Sequence, residues 1–282
     1  METSVSTSRR PYLIVRPARG WAALDLRELW QFRDLLLTLA GRDVRLRYRQ
    51  TALGIAWVVL QPLLLSGIFT VIFGIIGKMP TAGIPPFLFS FAGLLGYGAF
   101  NSTLTKSSTS LVGNAHLVSK VYFPRLAIPL STVFSSLIDF TVSLVVVLLL
   151  MAFYRVAPTG RMALMPALLV LFLAMGSGLG LFAAALTVSY RDVQYVVPVL
   201  VTALQLVSPI GFDSKIIPSW LLPWYMTLDP LAGLVEAFRW SVLGTGTVHW
   251  GYVAYSAAFA LAVLLVGAAA FKQMERKFAD VI

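Results

Sequence analysis

Six long stretches of mostly apolar residues run through this 282-residue chain. A helix needs about 20 such residues to cross the hydrocarbon core of a bilayer. Polar or Pro-containing segments separate the stretches, so each stretch can form one crossing. We therefore predict an all-α membrane protein with six transmembrane helices, at Leu53–Gly77, Pro86–Leu104, Ala127–Phe153, Ala163–Val188, Gln194–Phe212 and Trp250–Phe271.

The overall composition supports a membrane protein. The chain is 58% hydrophobic and only 12% charged, with a mean hydropathy of +0.82. Soluble domains contain roughly half apolar and about a quarter charged residues. No hydrophilic stretch is long enough for a separate soluble domain. We expect residues 1–23 to form a flexible cytoplasmic tail and residues 24–282 to form a single membrane domain.

The distribution of positive charge predicts the orientation. The net charge is +10, and ten of the 22 Lys and Arg residues precede Gln50. The others lie near the ends of spans, where basic residues set topology and contact lipid headgroups. With the N-terminus inside, 17 of the 22 fall on the cytoplasmic side. Both termini are therefore predicted to be cytoplasmic, and a nucleic-acid partner is not expected.

The segment between the fifth and sixth spans, residues 213–246, is apolar but interrupted. Prolines divide it into pieces too short to cross a bilayer, and it carries charged residues. Such half-helices favour a re-entrant hairpin from the outer face, covered by protein. The alternative is a pair of surface helices, with Trp220 and Trp224 as interfacial anchors.

A second non-spanning helix is predicted near the N-terminus, at Leu24–Ala40. Its apolar residues recur near helical spacing, while Asp25, Arg27 and Glu28 lie mostly on the other side. We expect this amphipathic helix to lie in the cytoplasmic membrane interface, with Trp30 at the level of the headgroups.

Motifs of nucleotide-binding and catalytic proteins are missing from the sequence. There is no G-x-x-x-x-G-K-[ST] loop for phosphates, no H-E-x-x-H, and no cluster of carboxylates for acid–base chemistry. Cysteine is absent, and the two histidines, His116 and His249, are far apart in sequence. We therefore predict that the chain is not an enzyme and holds no cofactor or metal.

Asp139 is the one acidic residue deep inside a predicted span. Burying a carboxylate in lipid is costly, and intramembrane acids often belong to substrate or proton pathways. Asp139 could act as a proton relay, or it could hydrogen-bond a Ser, a Thr or a backbone group of a neighbouring helix. Because the pattern shows no partner base, the structural role is favoured.

The predicted cytoplasmic segments contain two further features. The sequence GRDVRLRYRQ precedes the first span and carries four arginines, which could bind a phosphate-bearing substrate or anchor the chain to lipid headgroups. These are Arg42, Arg45, Arg47 and Arg49. In the second loop, a short helix between Ser107 and Leu117 could dock into a partner's groove. Residues 189–198 could form a second contact of this kind.

Four segments carry a resemblance to a known family. They are RDVRLRYRQTALGIAWVVLQP at 42–62, NAHLVSKVYFPRLAIP at 114–129, YRDVQYVVP at 190–198, and SPIGF, IPSW and DPLAGLVEAFRWSVL within 208–243. In this order they resemble the membrane (permease) subunit of type-2 ABC exporters. The closest branch exports O-antigen, capsular and teichoic-acid polysaccharides. The chain departs from the family at Asp229-Pro230, where Asn-Pro is usual, and at Phe212, where Tyr is frequent.

The resemblance implies an assembly in the bacterial cytoplasmic (inner) membrane. This chain would form a homodimer with two copies of a separate ATP-binding subunit, which would hold ATP and Mg. The residues expected to contact that ATPase are Asn114, His116, Leu117, Lys120, Phe123, Pro124, Arg191 and Asp192. The re-entrant helices would close an outer gate, with Pro218, Trp220, Asp229, Pro230, Glu236 and Arg239. The N-terminal helix would flank a lateral entrance.

Three functions remain open from the sequence. The leading one is ATP-driven export of lipid-linked polysaccharide of the O-antigen or capsule type, because the resemblance points to it. A glycan path would need aromatic faces as well as polar groups. Its candidates are Trp57, Phe69, Phe73, Phe89, Tyr97 and Phe100, which could equally be packing residues. The alternatives are an ABC permease for drugs or free lipids, and a secondary transporter that uses Asp139 without ATP.

Overall fold

A computed structural model describes residues 33–48, 56–120, 123–246, 248–275 and 278, and most of them are helical. A π-helical segment, Thr70–Ile76, extends the second helix, and two 3-10 turns lie at Gly160–Leu164 and Ser214–Ile216. The helices are α1 (Arg33–Tyr48), α2 (Ala56–Phe69), α3 (Pro86–Gly113), α4 (Ala115–Lys120), α5 (Ala127–Phe153), α6 (Met165–Ser189), α7 (Val193–Val207), α8 (Leu222–Leu228), α9 (Ala232–Leu243) and α10 (Trp250–Met274).

The predicted all-α membrane fold is confirmed. In the described ranges, five helical segments are long and apolar enough to cross a membrane: Ala56–Ile76, Pro86–Gly113, Ala127–Phe153, Gly160–Ser189 and Trp250–Met274. The predicted fifth span, Gln194–Phe212, corresponds to α7, which has 15 residues and ends at Val207. At 1.5 Å per residue α7 is about 22 Å long. The count of six crossings therefore stays a prediction.

The second span is longer than its hydropathy indicates. It was predicted to end at Leu104, with a separate helix from Ser107 to Leu117, but α3 is continuous to Gly113 and the separate helix is wrong. The added residues are mostly polar and contain no helix breaker before Gly113. Their hydroxyls bond to the preceding turn of the helix, as Ser108 does to Thr105 O and Ser110 to Ser107 O. Hydropathy misses such a segment because its polar groups are satisfied inside the protein.

Glycines of α6 allow its close contact with two neighbouring helices. A Cβ atom at Gly176 would lie 2.8 Å from the carbonyl oxygen of Phe100 in α3, and one at Gly180 would lie 2.6 Å from Ser107 Cβ. A Cβ at Gly267 of α10 would lie 2.0 Å from the carbonyl oxygen of Gly178. Small residues at such crossings let helix backbones approach closely. Along their contact, residue numbers rise in the same direction in α3 and α6, because Gly176 meets Phe100 and Gly180 meets Ser107. The C-terminal ends of α3 and α6 therefore lie at one end of the bundle.

That end, which we call the α1 end, also holds α1 and the C-terminal end of α10. Its apolar core includes Leu39 of α1, Leu111 of α3 and Phe271 of α10. The Arg125 guanidinium donates a hydrogen bond of 2.8 Å to the carbonyl oxygen of Glu275. The predicted interfacial helix Leu24–Ala40 falls partly outside the described residues. Its described part belongs to α1, which continues beyond Ala40 to Tyr48.

The opposite end is built from α8, α9 and their connections. Nearly every residue of α9 is buried, and the helix packs against α3, α6 and α10. The Phe238 ring makes edge contacts with Phe172 at 5.8 Å and Phe140 at 6.1 Å between ring centroids. Gly244 ends the helix with a left-handed φ of 71°. Entry of these helices into the membrane from the outer face stays a prediction.

Candidate functional site: a polar cavity between apolar helices

A cavity of about 270 Å³ lies between α2, α3, α5 and α7. Its walls are unusual for this chain because polar side chains from all four helices converge there. Tyr97 and Phe140 are two buried aromatic residues of the same cavity wall. Its polar wall consists of Gln61, Asn101, Ser102, Thr105, Lys106, Ser136, Asp139, Ser143 and Gln205.

An ion pair between Lys106 and Asp139 lies in the cavity wall. Lys106 Nζ is 2.7 Å from Asp139 Oδ2 and donates a second hydrogen bond of 2.9 Å to Ser135 Oγ. The two charged side chains are 22% and 16% exposed, so both reach the cavity. The expectation that Asp139 lacks a basic partner is wrong. The partner was missed because the loop boundary at Leu104 assigned Lys106 to the cytoplasmic loop, whereas Lys106 belongs to α3.

Neighbouring hydroxyls extend the ion pair into a network. Ser102 donates to Asp139 Oδ2 at 3.4 Å, and Ser136 lies 3.1 Å from Ser102 Oγ. These groups join α3 to α5 across the cavity wall. Tyr97 joins α3 to α7, because its hydroxyl donates to the carbonyl oxygen of Val201. The network is a surface of fixed donors and acceptors inside an apolar bundle.

The predicted arginine cluster is only partly described. The Arg42 guanidinium donates a hydrogen bond to Asn114 Oδ1 at the end of α3. The Arg45 side chain is exposed, and its Nε donates to the carbonyl oxygen of Gly41 at 3.1 Å. The Arg47 side chain and Arg49 lie outside the described residues. Arg42 therefore links α1 to the α3–α4 junction, whereas Arg45 faces outward.

The residues expected to contact an ATPase divide into exposed and buried groups. Asn114 caps the end of α3, where its side-chain amide donates a hydrogen bond of 2.9 Å to the carbonyl oxygen of Ser110. Leu117 is half-buried, while Phe123 and Pro124 are buried in the α1 end. The Lys120 side chain lies outside the described part of the chain. The exposed residues are His116 of α4 and Arg191 and Asp192 of the α6–α7 turn, all at the α1 end.

Four buried charged residues form a second polar group at the opposite end, which we call the Arg239 cluster: Asp213, Asp229, Glu236 and Arg239. Each is at most 4% exposed. Arg239 donates a hydrogen bond of 2.6 Å to the carbonyl oxygen of Pro209, and its guanidinium carbon lies 3.9 Å from the centroid of the Phe89 ring. The guanidinium also interacts electrostatically with Glu236 and Asp213. This arrangement compensates buried negative charge with one buried cation.

Asp229 holds the start of α9. Its Oδ2 accepts a hydrogen bond of 2.7 Å from Ser208, and its Oδ1 accepts one of 3.0 Å from the Leu231 backbone. A carboxylate is favourable at a helix N-terminus and can accept backbone hydrogen bonds there as an asparagine does. The departure from the family's Asn-Pro pattern is therefore compatible with this geometry.

The other predicted gate residues lie outside the cluster. Trp220 is 73% exposed, Pro218 is also exposed, and Pro230 is half-buried beside Asp229. Glu236 accepts a hydrogen bond of 3.3 Å from the Ser214 backbone, and its other oxygen is 3.5 Å from His249 Nδ1. Only Asp229, Glu236 and Arg239 of the predicted gate set are thus brought together.

The aromatic residues proposed for a glycan path also occupy different places. Phe89 and Phe100 are buried in the core, and Phe69 packs against Phe73 at 5.3 Å between centroids. Trp57 is 50% exposed on α2. Tyr97 is the member of the set that lines the cavity. Sequence reasoning missed most polar residues of the cavity, although Gln205, an amide in the apolar helix α7, was a visible signal.

Comparison with known proteins gives a consistent family assignment. Residues 34–243 match the family model described as ABC-2 type transporter. An O-antigen export system permease protein, RfbA, from Klebsiella pneumoniae is 26% identical over 88% of this chain and 95% of its own length. The Myxococcus xanthus RfbA is 29% identical over 76% of this chain and 82% of its own length. The Escherichia coli polysialic acid transport protein KpsM is 28% identical over 83% of this chain and 91% of its own length.

Proposed function

Because the chain belongs to the ABC-2 type transporter family, we propose that it is the permease subunit of an ATP-driven exporter of lipid-linked polysaccharide. The glycan would be of the O-antigen or capsule type, as the names of the similar permeases indicate. The membrane would be the bacterial cytoplasmic membrane, with both termini of the chain inside. The structural observation that carries this proposal is the polar cavity, because a hydrophilic cargo needs hydrogen-bonding groups inside an apolar bundle.

The energy source would be a separate ATP-binding subunit. The sequence has no phosphate-binding loop of its own, so the force must arrive through contacts with another polypeptide. The exposed residues His116, Arg191 and Asp192 all belong to the α1 end and would offer such a contact surface. Two copies of this chain and two copies of the ATPase would complete the assembly, in agreement with the family resemblance.

The lipid-linked diphosphate would be met by the arginine cluster. Arg45 is exposed on α1, and Arg42 connects α1 to Asn114 at the start of the proposed ATPase contact. Guanidinium groups bind phosphate oxygens in a bidentate manner. Substrate binding near α1 would therefore change the position of the α3–α4 junction through the Arg42–Asn114 hydrogen bond.

Deletion of the gene tests the proposed function. We expect the surface polysaccharide to disappear and the lipid-linked polysaccharide to accumulate inside the cell, because the glycan is assembled but not exported. A plasmid copy of the chain should restore export. Immunoblotting of the surface polysaccharide and extraction of the lipid-linked pool measure both quantities. Unchanged surface polysaccharide, with new sensitivity to a drug, would instead support the alternative exporter of drugs or free lipids.

Replacement of all four arginines by glutamine tests the phosphate-binding role separately. We expect export to fall by roughly tenfold or more, because a single hydrogen bond to a charged group contributes about 1.5 kcal/mol or more. The assay is complementation of the deletion strain, with the amount of membrane-inserted chain measured in the same cells. Normal export by the variant would rule out the phosphate contact but would leave the exporter function intact.

A further inference from the structure

We propose that the cavity between α2, α3, α5 and α7 is a binding site for the sugar hydroxyls of the passing glycan, with the Lys106–Asp139 ion pair as its central contact. This inference rests on the proposed export function. It adds the site at which the carbohydrate, as distinct from its lipid-linked phosphate, is held during transport. The residues that line the cavity all come from one copy of the chain and leave it partly open, so each permease subunit would contribute such a site.

The chemistry of the cavity wall fits a polyhydroxylated ligand. A sugar hydroxyl both donates and accepts a hydrogen bond, so its site needs both kinds of partner close together. Lys106 donates, Asp139 accepts, and the amides of Gln61, Asn101 and Gln205 can do either. The hydroxyls of Ser102, Thr105, Ser136 and Ser143 add further groups with both capacities.

The charge of the cavity distinguishes this ligand from a phosphate. The positive charge of Lys106 is matched by Asp139 at 2.7 Å, so the pair presents little net charge to a ligand. A phosphate oxygen placed beside Lys106 would also approach the Asp139 carboxylate and be repelled by it. Neutral hydroxyls can bridge the two charged groups without this penalty. The arginine cluster at α1 has the opposite character and suits the diphosphate.

The size and the apolar part of the cavity agree with a segment of glycan. A volume of about 270 Å³ lies just below the roughly 300 Å³ at which small-molecule pockets begin. Tyr97 and Phe140 lie in the cavity wall but are buried, and the Tyr97 hydroxyl is engaged by the carbonyl oxygen of Val201. The partly exposed side chains of Val58 and Leu65 supply apolar surface to the same wall. The cavity therefore combines hydrogen-bonding groups with the apolar surface that the C–H faces of a sugar require.

Two double variants separate sugar binding from a structural role of the ion pair. Lys106→Met with Asp139→Leu removes both charges and the hydrogen-bonding groups, whereas Lys106→Gln with Asp139→Asn removes only the charges. A buried ion pair can be replaced by apolar residues without loss of stability. We expect both variants to insert normally. The Met/Leu variant should export about tenfold less polysaccharide, equivalent to one or two lost hydrogen bonds. The Gln/Asn variant should stay within about threefold of the wild type.

The outcomes of this comparison are decisive in each direction. Equal and normal export by the two variants would overturn the proposal, because the hydrogen-bonding groups would then be dispensable. An equal and severe loss in both variants, at normal membrane levels, would also overturn it, because the charges themselves would then be required. The deletion strain complemented with the wild-type chain serves as reference. If deletion leaves surface polysaccharide unchanged, the export function itself is wrong.

A labelling experiment tests occupancy directly and does not depend on these variants. The chain has no cysteine, so a single thiol can be placed by Ser143→Cys in the cavity and, as a control, by Ala157→Cys in the exposed connection that follows α5. A membrane-permeant maleimide is the probe. Membranes from cells that make the lipid-linked glycan are compared with membranes from cells lacking the first glycosyltransferase.

We expect the glycan to slow labelling of the cavity cysteine severalfold and to leave the control cysteine unchanged. A hydrophilic chain that occupies the cavity excludes the reagent from Cys at position 143, while position 157 does not line the cavity. Identical labelling rates with and without the glycan at both positions would overturn the proposal. Slower labelling at both positions would contradict it as well, since the effect would then not be confined to the cavity.

Discussion

Replacing Arg239 with methionine is expected to destabilise the protein strongly, whereas the same replacement of Arg161 is expected to have a small effect. The two arginines make similar contacts. The Arg161 guanidinium carbon lies 4.6 Å from the centroid of the Trp240 ring, and Arg161 donates a hydrogen bond of 2.7 Å to the carbonyl oxygen of Gly244. The Arg239 guanidinium carbon lies 3.9 Å from the centroid of the Phe89 ring, and Arg239 donates a hydrogen bond of 2.6 Å to the carbonyl oxygen of Pro209. The difference is burial, because Arg161 is exposed and Arg239 is 4% exposed.

The physical reason lies in the Arg239 cluster. Without Arg239, the buried carboxylates of Asp213 and Glu236 lose their shared cation. Removing one member of a buried charge group costs about 3–5 kcal/mol, because the remaining charge stays desolvated without compensation. Thermal unfolding of the two purified variants in detergent measures the difference. If Arg239→Met and Arg161→Met unfold at the same temperature, the cluster does not stabilise the α8–α9 region as described.

A single methyl group at Gly267 is expected to disrupt the contact between α6 and α10. In Gly267→Ala the new Cβ would start 2.0 Å from the carbonyl oxygen of Gly178, and backbone cannot move aside as a flexible side chain can. Overpacking of this kind costs about 1–3 kcal/mol and sometimes more. We expect a lower yield of monodisperse protein and a lower unfolding temperature, both measured in detergent.

Gly251→Ala is the matched control for this substitution. Gly251 lies on the same helix, and a Cβ there would meet no atom within 4 Å. Alanine also has the higher helix propensity, so the control should be neutral or slightly stabilising. Wild-type stability of the Gly267→Ala protein would contradict the close crossing. A loss of stability in both variants would show that the effect arises from helix α10 in general.

The apolar helices could be predicted from the sequence, but the polar groups buried between them could not. Ala127–Phe153 was predicted with its observed bounds, because apolar residues fill it from end to end. The boundary at Leu104 was wrong, because serines and threonines of α3 are buried against other helices rather than exposed in a loop. A hydropathy pattern reports exposure to lipid and carries no information about polar groups that satisfy one another inside a bundle.

The candidate site could be predicted from the sequence only in part, for the same reason. Asp139 was recognised as exceptional, but its partner Lys106 is 33 residues away and could be assigned only once α3 was known to continue. The buried position of Arg239 over Phe89 depends on the packing of α9 against α3, which no local pattern reveals. The Gly178–Gly267 crossing is likewise a contact between distant segments.

Transport in inverted membrane vesicles that contain this chain, with and without its ATPase, tests the central claim most directly. The vesicles are loaded with the lipid-linked glycan on their outer, cytoplasmic face, and a glycan-degrading enzyme added outside reports how much has moved into the lumen. We predict that protection from the enzyme requires the chain, the ATPase and ATP together. Protection by vesicles that contain the chain alone, without the ATPase or ATP, would contradict this account.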